Sequence, residues 1–434
     1  AGKSNLFDAI MLLSRLAETD IRTAFGDQRG EAQELFTLQP DGTYASEMAF
    51  AVEMLVDRRV RDSWGSEAEL KHTRLRYELC IERRKGHRNI ERLFVKREAL
   101  RPISRGMDIW YRDYIGSQNH YWHPKVTGGR SPFISTLDDS NTVNLHQDEG
   151  SRGRPRPIED LESTMLSGVI NTEFPHALAA REEMRNWHFL QLNPVELSKP
   201  SAKLTASEVM GPDGSGLASA LFRIKSEDPG LLKDIGIDMA RLIPSIQSID
   251  VEEDKQEKKY VINITVEDGR TFSSMVLSEG TLRLLALATL KHDPLHRGVL
   301  CFEEPENGVN PRRISQVVNL LRGLSTEFKA EEEALYPARQ ILINTHSPVL
   351  VGEVYKLKGV ADWGVVLFAR LVSRISQGRK IQHTMVDSVQ LEGQTEIFDS
   401  KDPQQASVRL NKLELVQYLQ TADFGNTLST LNEP

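Results

Sequence analysis

The sequence predicts an α/β protein with a mixed, largely parallel core sheet, an antiparallel β lobe and an inserted, partly helical lobe. Three observations predict it. Short apolar runs at 298–302, 340–344 and 364–368 are separated by helical stretches, the pattern of strands buried on both faces. Longer runs at 48–56, 75–84 and 90–100 follow one another, the last two joined by the turn Lys85-Gly86-His87. The alternation in Arg76-Tyr77-Glu78-Leu79-Cys80-Ile81 marks a half-buried antiparallel sheet. Between residues 105 and 200 the pattern loosens around Ser151-Arg152-Gly153-Arg154-Pro155-Arg156-Pro157, a loop composition, with Trp110, Tyr111, Tyr114, Tyr121, Trp122 and Trp187 nearby.

Taken in order, Leu6, Ile10, Leu13 and Leu16 recur at helical spacing over 4–17. Residues 217–224 and 235–242 read as helices, and 260–266, the turn Asp268-Gly269 and 271–276 as a hairpin. A Leu- and Ala-rich helix is expected over 280–291, and Pro311 opens another where its missing N–H costs nothing. Val408, Leu410, Leu413, Leu415, Val416 and Leu419 give 405–420 an amphipathic pattern. The expected division is 1–104, an inserted lobe at 105–200, a second main lobe at 201–370 and a tail at 371–434 that packs on the core. A chain of 434 residues with 39% hydrophobic content exceeds what one small core organises.

A net charge of −8 excludes a global field that draws the molecule onto nucleic acid, while leaving a local patch open. Cys80 and Cys301 make no disulfide framework, and Cys301 sits in an apolar run, which fits a reducing cytoplasm. No stretch is apolar for long enough to cross a bilayer, and no secretory signal is visible.

Four motifs carry chemistry. Gly2-Lys3-Ser4-Asn5 opens the first helix and reads as the end of a phosphate-binding loop cut in the middle, so a preceding strand and glycines are expected in the parent protein. Glycine lets backbone N–H groups approach phosphate, lysine reaches the β and γ phosphates, and the serine hydroxyl meets Mg²⁺. Gly298-Val299-Leu300-Cys301-Phe302-Glu303-Glu304-Pro305-Glu306 delivers adjacent carboxylates to a strand end; one suits a metal shell and the other the activation of water, although a solvated acidic turn has the same look. Leu277-Ser278-Glu279-Gly280-Thr281-Leu282-Arg283 is either an ordinary N-cap or an anion site. Ile341-Leu342-Ile343-Asn344-Thr345-His346-Ser347-Pro348 ends a strand in a histidine suited to a phosphate or to a structural hydrogen bond.

In this order and spacing the motifs resemble the ABC ATPase superfamily, in the branch with the RecF, OLD and SMC-type heads and the compact "AAA family ATPase" proteins of bacterial defence systems. The resemblance spans roughly 1–100 and 200–370. It implies a Walker A end at Gly2, Lys3, Ser4 and Asn5, a signature motif with Ser278 and Gly280, a Walker B carboxylate Glu303 that joins Ser4 on Mg²⁺, a catalytic Glu304 and a switch His346. Glu303 stands where most of the superfamily has Asp, Asn310 where the branch often has His, and Gln191 is the candidate for the Q-loop glutamine.

The resemblance further implies ATP and Mg²⁺ as cofactors. It implies a homodimer or higher homo-oligomer that closes head-to-tail on two nucleotides, and a switch subunit governing a separate effector, as in antiviral defence. The alternative is a RecF/SMC-like DNA-binding ATPase. A transporter subunit is disfavoured by the insertion and the Glu-Glu-Pro-Glu run, and no membrane partner is expected. OLD-like nucleases add an acidic Toprim site, but Asp387, Glu392, Glu396, Asp399 and Asp402 contain no Asp-x-Asp pair, so no nuclease is expected here. Arg83, Arg84, Lys85, His87, Arg88, Arg92, Lys96 and Arg97 form either a phosphate-binding stripe or an edge balanced by Glu82, Glu91 and Glu98. Arg152, Arg154 and Arg156 suit an acidic partner or a plain surface loop, and His120-Tyr121-Trp122-His123 lacks the acids or cysteines of a metal site.

Overall fold

The computed structural model describes residues 2–85, 90–112, 124–126, 131–137, 141–147, 155–158, 161–204, 207–326, 328, 338–357, 364–376 and 379–388. Helix α1 (Lys3–Leu16) forms as expected and buries Phe7, Leu12, Leu13 and Leu16; of the expected stripe Leu13 and Leu16 are buried, Ile10 is half-buried and Leu6 is exposed. It is followed by α2 (Ile21–Gly26), capped by the Asp20 side chain on the Thr23 N–H. Strand β1 (Glu47–Leu55) comes next, then a small hairpin of β2 (Arg59–Arg61) and β3 (Glu67–Glu69). Long β4 (Arg74–Lys85) and β5 (Glu91–Pro102) confirm the expected antiparallel pair.

The loosely patterned stretch supplies β6 (Ile134–Leu137), β7 (Thr142–Leu145) and β8 (Arg156–Pro157), which extend the same sheet in the order β1-β4-β5-β6-β7-β8. It also supplies α3 (Pro175–Arg185), β9 (His188–Leu190) and α4 (Pro194–Ser198).

Beyond β10 (Ser201–Ala202), helices α5 (Leu217–Glu227) and α6 (Pro229–Leu242) pack on β11 (Ile246–Asp254) and β12 (Lys259–Val266). Strand β13 (Thr271–Ser273) closes the expected hairpin but stops early, and a 3-10 turn takes up Ser274–Val276. Then come α7 (Glu279–His292), β14 (Gly298–Glu303), a 3-10 turn opened by Pro311, α8 (Ile314–Arg322), β15 (Arg339–Asn344) and α9 (Pro348–Lys356).

The last described elements, β16 (Leu367–Ser376) and β17 (Arg379–Ser388), pair only with each other among the described residues. This corrects one expectation. The run 364–368 is not a third buried strand of the core sheet: only its last two residues, Leu367 and Phe368, enter β16, which ladders with β17, and Val365, Leu367, Leu371 and Ile375 lie exposed. The parallel sheet has the order β15-β14-β9, and its third strand is the short β9. The 405–420 helix, the Lys85-Gly86-His87 turn beyond Lys85, Arg88, Tyr114, the His120–His123 run, Arg152, Arg154, Glu392, Glu396, Asp399 and Asp402 fall outside the described residues. Among the described residues no helix is long and apolar enough to cross a membrane.

The parallel sheet lies between two cores. On one side Leu300 and Phe302 of β14 join Leu284, Leu285 and Leu287 of α7. On the other, Val299 packs against the cluster containing Leu12 and Leu16 of α1 and Trp187. Strand β14 begins at Gly298 with φ 79°, where an added Cβ would stand 2.5 Å from the Asn186 carbonyl, so a larger residue would push β14 off its neighbour.

The antiparallel sheet holds a fully buried acid. Glu98 accepts from the Tyr77 hydroxyl at 3.0 Å and from the backbone N–H of Met165 and Leu166 at 2.6 and 2.9 Å. Burial pushes its carboxyl from 4.5 up to about 7 against the pull of these donors. The folded chain therefore holds this proton up to about pH 7, whereas the unfolded chain releases it near 4.5. Glu98 thus makes stability fall as pH rises between those values and level off above them, by on the order of 3 kcal/mol in all. In Glu98→Gln the fall in melting temperature between pH 5 and pH 8 is expected to shrink, whatever the variant's absolute stability. An unchanged pH slope would refute the assignment.

Candidate functional site

The site forms where β14 and β15 end and α1 begins. Alternation along β14 turns Leu300 and Phe302 toward α7 and leaves Val299 and Glu303 facing α1. Phe189, the register partner of Cys301 on β9, meets Phe7 of α1 edge-to-face at 5.7 Å, which seats the start of the helix against the sheet. Ser4 Oγ then donates to Glu303 Oε1 at 2.7 Å. Parallel register sets Asn344 of β15 opposite Glu303, and its Nδ2 donates to the same oxygen at 3.0 Å.

Lys3 reaches over the end of β15. Its Nζ donates to the Thr345 carbonyl at 3.4 Å and stands 3.3 and 3.2 Å from Nδ1 and Nε2 of His346. Burial lowers the pKa of this amine, while the charges of Glu304 and Glu303 raise it. Gly2, the N-cap of α1, has φ 73° and offers no side-chain cap, so no side chain of its own competes with an anion for the positive end of the helix. An added Cβ on Gly2 would collide with the Thr384 hydroxyl of β17, so the hairpin lies directly against this glycine.

Glu304 adopts φ 46°, uncommon for a residue with a side chain. Its N–H donates to the Asn344 carbonyl at 2.8 Å, which turns the chain away from the ladder, and its Oε2 accepts from Asn307 Nδ2 at 2.6 Å. Beside it, Glu306 Oε1 accepts from the Thr345 hydroxyl at 2.5 Å.

The structure thus brings together Gly2, Lys3, Ser4, Glu303, Glu304 and His346. Ser278 and Gly280 do not join this cluster. Ser278 caps α7, with its Oγ 3.2 Å from the Thr281 N–H, and Gly280 lies against the loop at Gly308. Asn5 is exposed on the first turn of α1 and takes no part in the cluster's hydrogen bonds. Gln191 follows β9 one residue beyond the pair Leu190 and Phe302, level with Glu303.

Asn344, Thr345, Glu306, Asn307 and Arg283 had no assigned role in the sequence reading. The signal for Asn344 lay in the parallel register, which sets the end of one apolar run opposite the end of the other. Of the basic cluster, Arg83 pairs with Glu91 at 3.1 Å, Arg84 with Glu82 at 2.6 Å, Arg92 with Glu162 at 2.7 Å and Lys96 with Glu47 at 2.5 Å. These pairs make that surface a balanced edge more than a phosphate stripe.

The donor set fits the magnesium ion that the resemblance implies. Ser4 Oγ and the Glu303 carboxylate are hard oxygens, and Mg²⁺ takes one or two protein ligands while keeping several waters. Among the described residues Asn344 Oδ1 and Glu306 Oε2 are buried and meet no hydrogen-bond partner, which suits groups beside a hydrated ligand. Among the described residues no group of three or more His, Cys, Asp or Glu could hold a metal, so this is not an all-protein cage.

The family described as "AAA domain, putative AbiEii toxin, Type IV TA system" matches residues 178–352. No curated protein matches the chain. Among solved structures, the chain is similar to an SMC head domain from Pyrococcus furiosus with an extended coiled coil and bound to the C-terminal domain of ScpA. The identity is 11% over 88% of this chain and 87% of that one, with TM-score 0.34. It is similar to the SMC head domain from Thermotoga maritima at 10% identity over 76% of this chain and 78% of that one, TM-score 0.25. A third, from a study of ATP-driven dimerization and DNA-stimulated activation of SMC ATPases, shares 15% identity over 40% of this chain and 91% of that one, TM-score 0.25. These structural likenesses are too slight to bear on function. The family match falls on the stretch that carries Glu303, Glu304 and His346, and residues 178–352 resemble an AAA domain of the AbiEii type within a mixed α/β fold.

Proposed function

We propose that the chain binds ATP with Mg²⁺ and hydrolyses it as a nucleotide switch that closes in head-to-tail pairs. The observation that carries this reading is the meeting of Lys3, Ser4, Glu303, Glu304 and His346, drawn from both ends of the chain, around one helix N-terminus. The N-terminal end of α1 and the Lys3 ammonium hold the phosphates, and Ser4 and Glu303 would hold the ion, which would supply charge neutralisation at the phosphate oxygens. Glu304 orients the attacking water and takes its proton. His346, beside Lys3, contacts the terminal phosphate, and Gln191 stands level with Glu303 to touch the same region.

Ser278 and Gly280 serve the nucleotide of a second copy. The exposure of Ser278, outside the cluster around Lys3, supports this, as do Met275 and Val276, which stand 60% and 68% exposed just before it and supply apolar surface for a contact. The description of the matched family, with a putative toxin and a type IV toxin–antitoxin system, supports a place in such a system; the part assigned here, a sensor governing a separate effector in bacterial defence, rests on the resemblance of the motifs.

In the full-length protein, Lys3→Ala is expected to weaken ATP binding roughly tenfold or more, measured by titration calorimetry. Unchanged affinity would remove Lys3 from the site. Glu304→Gln is expected to keep ATP binding and lower turnover by roughly a hundredfold to ten-thousandfold; full turnover would falsify the general-base role. With Glu304→Gln as background, Ser278→Arg is expected to leave each copy able to bind ATP but unable to pair, read by light scattering with and without nucleotide. Pairing that survives this change would count against the head-to-tail arrangement.

A further inference from the structure

The aim of Glu304 is set by the short turn that follows β14. Its backbone is pinned on both sides: the N–H donates to Asn344 at 2.8 Å, and the carbonyl accepts from the Asn307 N–H at 3.0 Å. The carboxylate is held by the Asn307 side chain at 2.6 Å. Asn307 is itself held from α7, because Arg283 Nη1 donates to its carbonyl at 2.6 Å. Arg283 Nη2 pairs with Glu279 Oε1, also at 2.6 Å, so the guanidinium is fixed at both ends of its fork. A second contact joins the same two segments. A Cβ on Gly280 would stand 2.7 Å from the Gly308 carbonyl, so α7 and the turn are pressed together where glycine alone fits.

We infer that Asn307 and Arg283 are positioning residues, through which the helix beginning at Ser278 fixes the aim of Glu304 in its own chain. The inference rests on the ATPase reading and deepens it. Whatever seats on the N-terminus of α7 bears, through Arg283 and Asn307, on the carboxylate that serves the other nucleotide. The two faces of one head are thereby coupled without movement of the β-sheet.

The test measures turnover and ATP affinity in the full-length protein. Asn307→Asp keeps the shape and removes the donor; it is expected to lower kcat roughly ten- to a hundredfold with ATP affinity held within about twofold. Arg283→Gln is expected to lower kcat alone in the same way, and Arg283→Lys, which keeps a donor for the Asn307 carbonyl, to recover part of the loss. The double variant Asn307→Asp with Arg283→Gln is expected to show the loss of the worse single variant, because both act through one carboxylate. Unchanged kcat in Asn307→Asp, kcat and affinity falling together, or losses that multiply in the double variant would each overturn the inference. A wild-type protein without turnover, or full turnover in Glu304→Gln, would instead overturn the ATPase reading beneath it.

Discussion

The site depends on the parallel ladder between β14 and β15. Its register sets Glu303 beside Asn344, and the next peptide, Glu304 to Asn344, is the bond that ends the strand and throws the chain sideways. A shift by one residue would exchange the two faces of β14, turning Glu303 toward α7 and Phe302 toward α1. Both cores forbid that shift, since Leu300 and Phe302 are packed on one side and Val299 on the other. Packing of ordinary apolar residues thereby fixes which carboxylate meets Ser4.

Around this ladder the architecture is redundant. Helix α1 is held by Phe7 on Phe189 and by Ser14, which donates to the Trp187 carbonyl at 3.3 Å. The far end of α7 is held by Arg339 of β15, whose guanidinium donates to the carbonyls of Lys291, Asp293 and His296 at 2.9, 2.7 and 2.9 Å. The strand whose end leads into His346 therefore begins by capping the helix that begins at Ser278. Buried guanidinium groups that satisfy several carbonyls at once are costly to disturb, which makes α7, β14 and β15 one stiff unit.

Much of this was legible in the sequence. The apolar runs of β14 and β15, the helix behind Lys3 and the alternation of β4 follow from residue periodicity, and the acidic and histidine-bearing strand ends follow from position. What escaped had a physical reason. Strand β9 spans only His188–Leu190, too short for a pattern, while the more apolar run at 364–368 lies where β16 begins and joins the hairpin with β17. Strands β6 to β8 are two to four residues each and stand in the sheet because β5 offers β6 an edge, β6 offers one to β7 and β7 one to β8, a tertiary cause with no local trace. The link from Arg283 to Asn307 uses a backbone carbonyl, and sequence carries no record of which carbonyl a side chain will find.

One buried side chain has a practical consequence. Cys301 sits in the middle of β14 at 1% exposure, and burial pushes its thiol up to about 12, so it is inert to thiolate chemistry while the layers stay closed. Cys80 lies half-buried on β4. Burial and the neighbouring Glu47 raise the Cys80 thiol as well, so the two sulfurs differ in access, and alkylation of Cys301 reports the rare breathing of the layer on which the carboxylates are mounted.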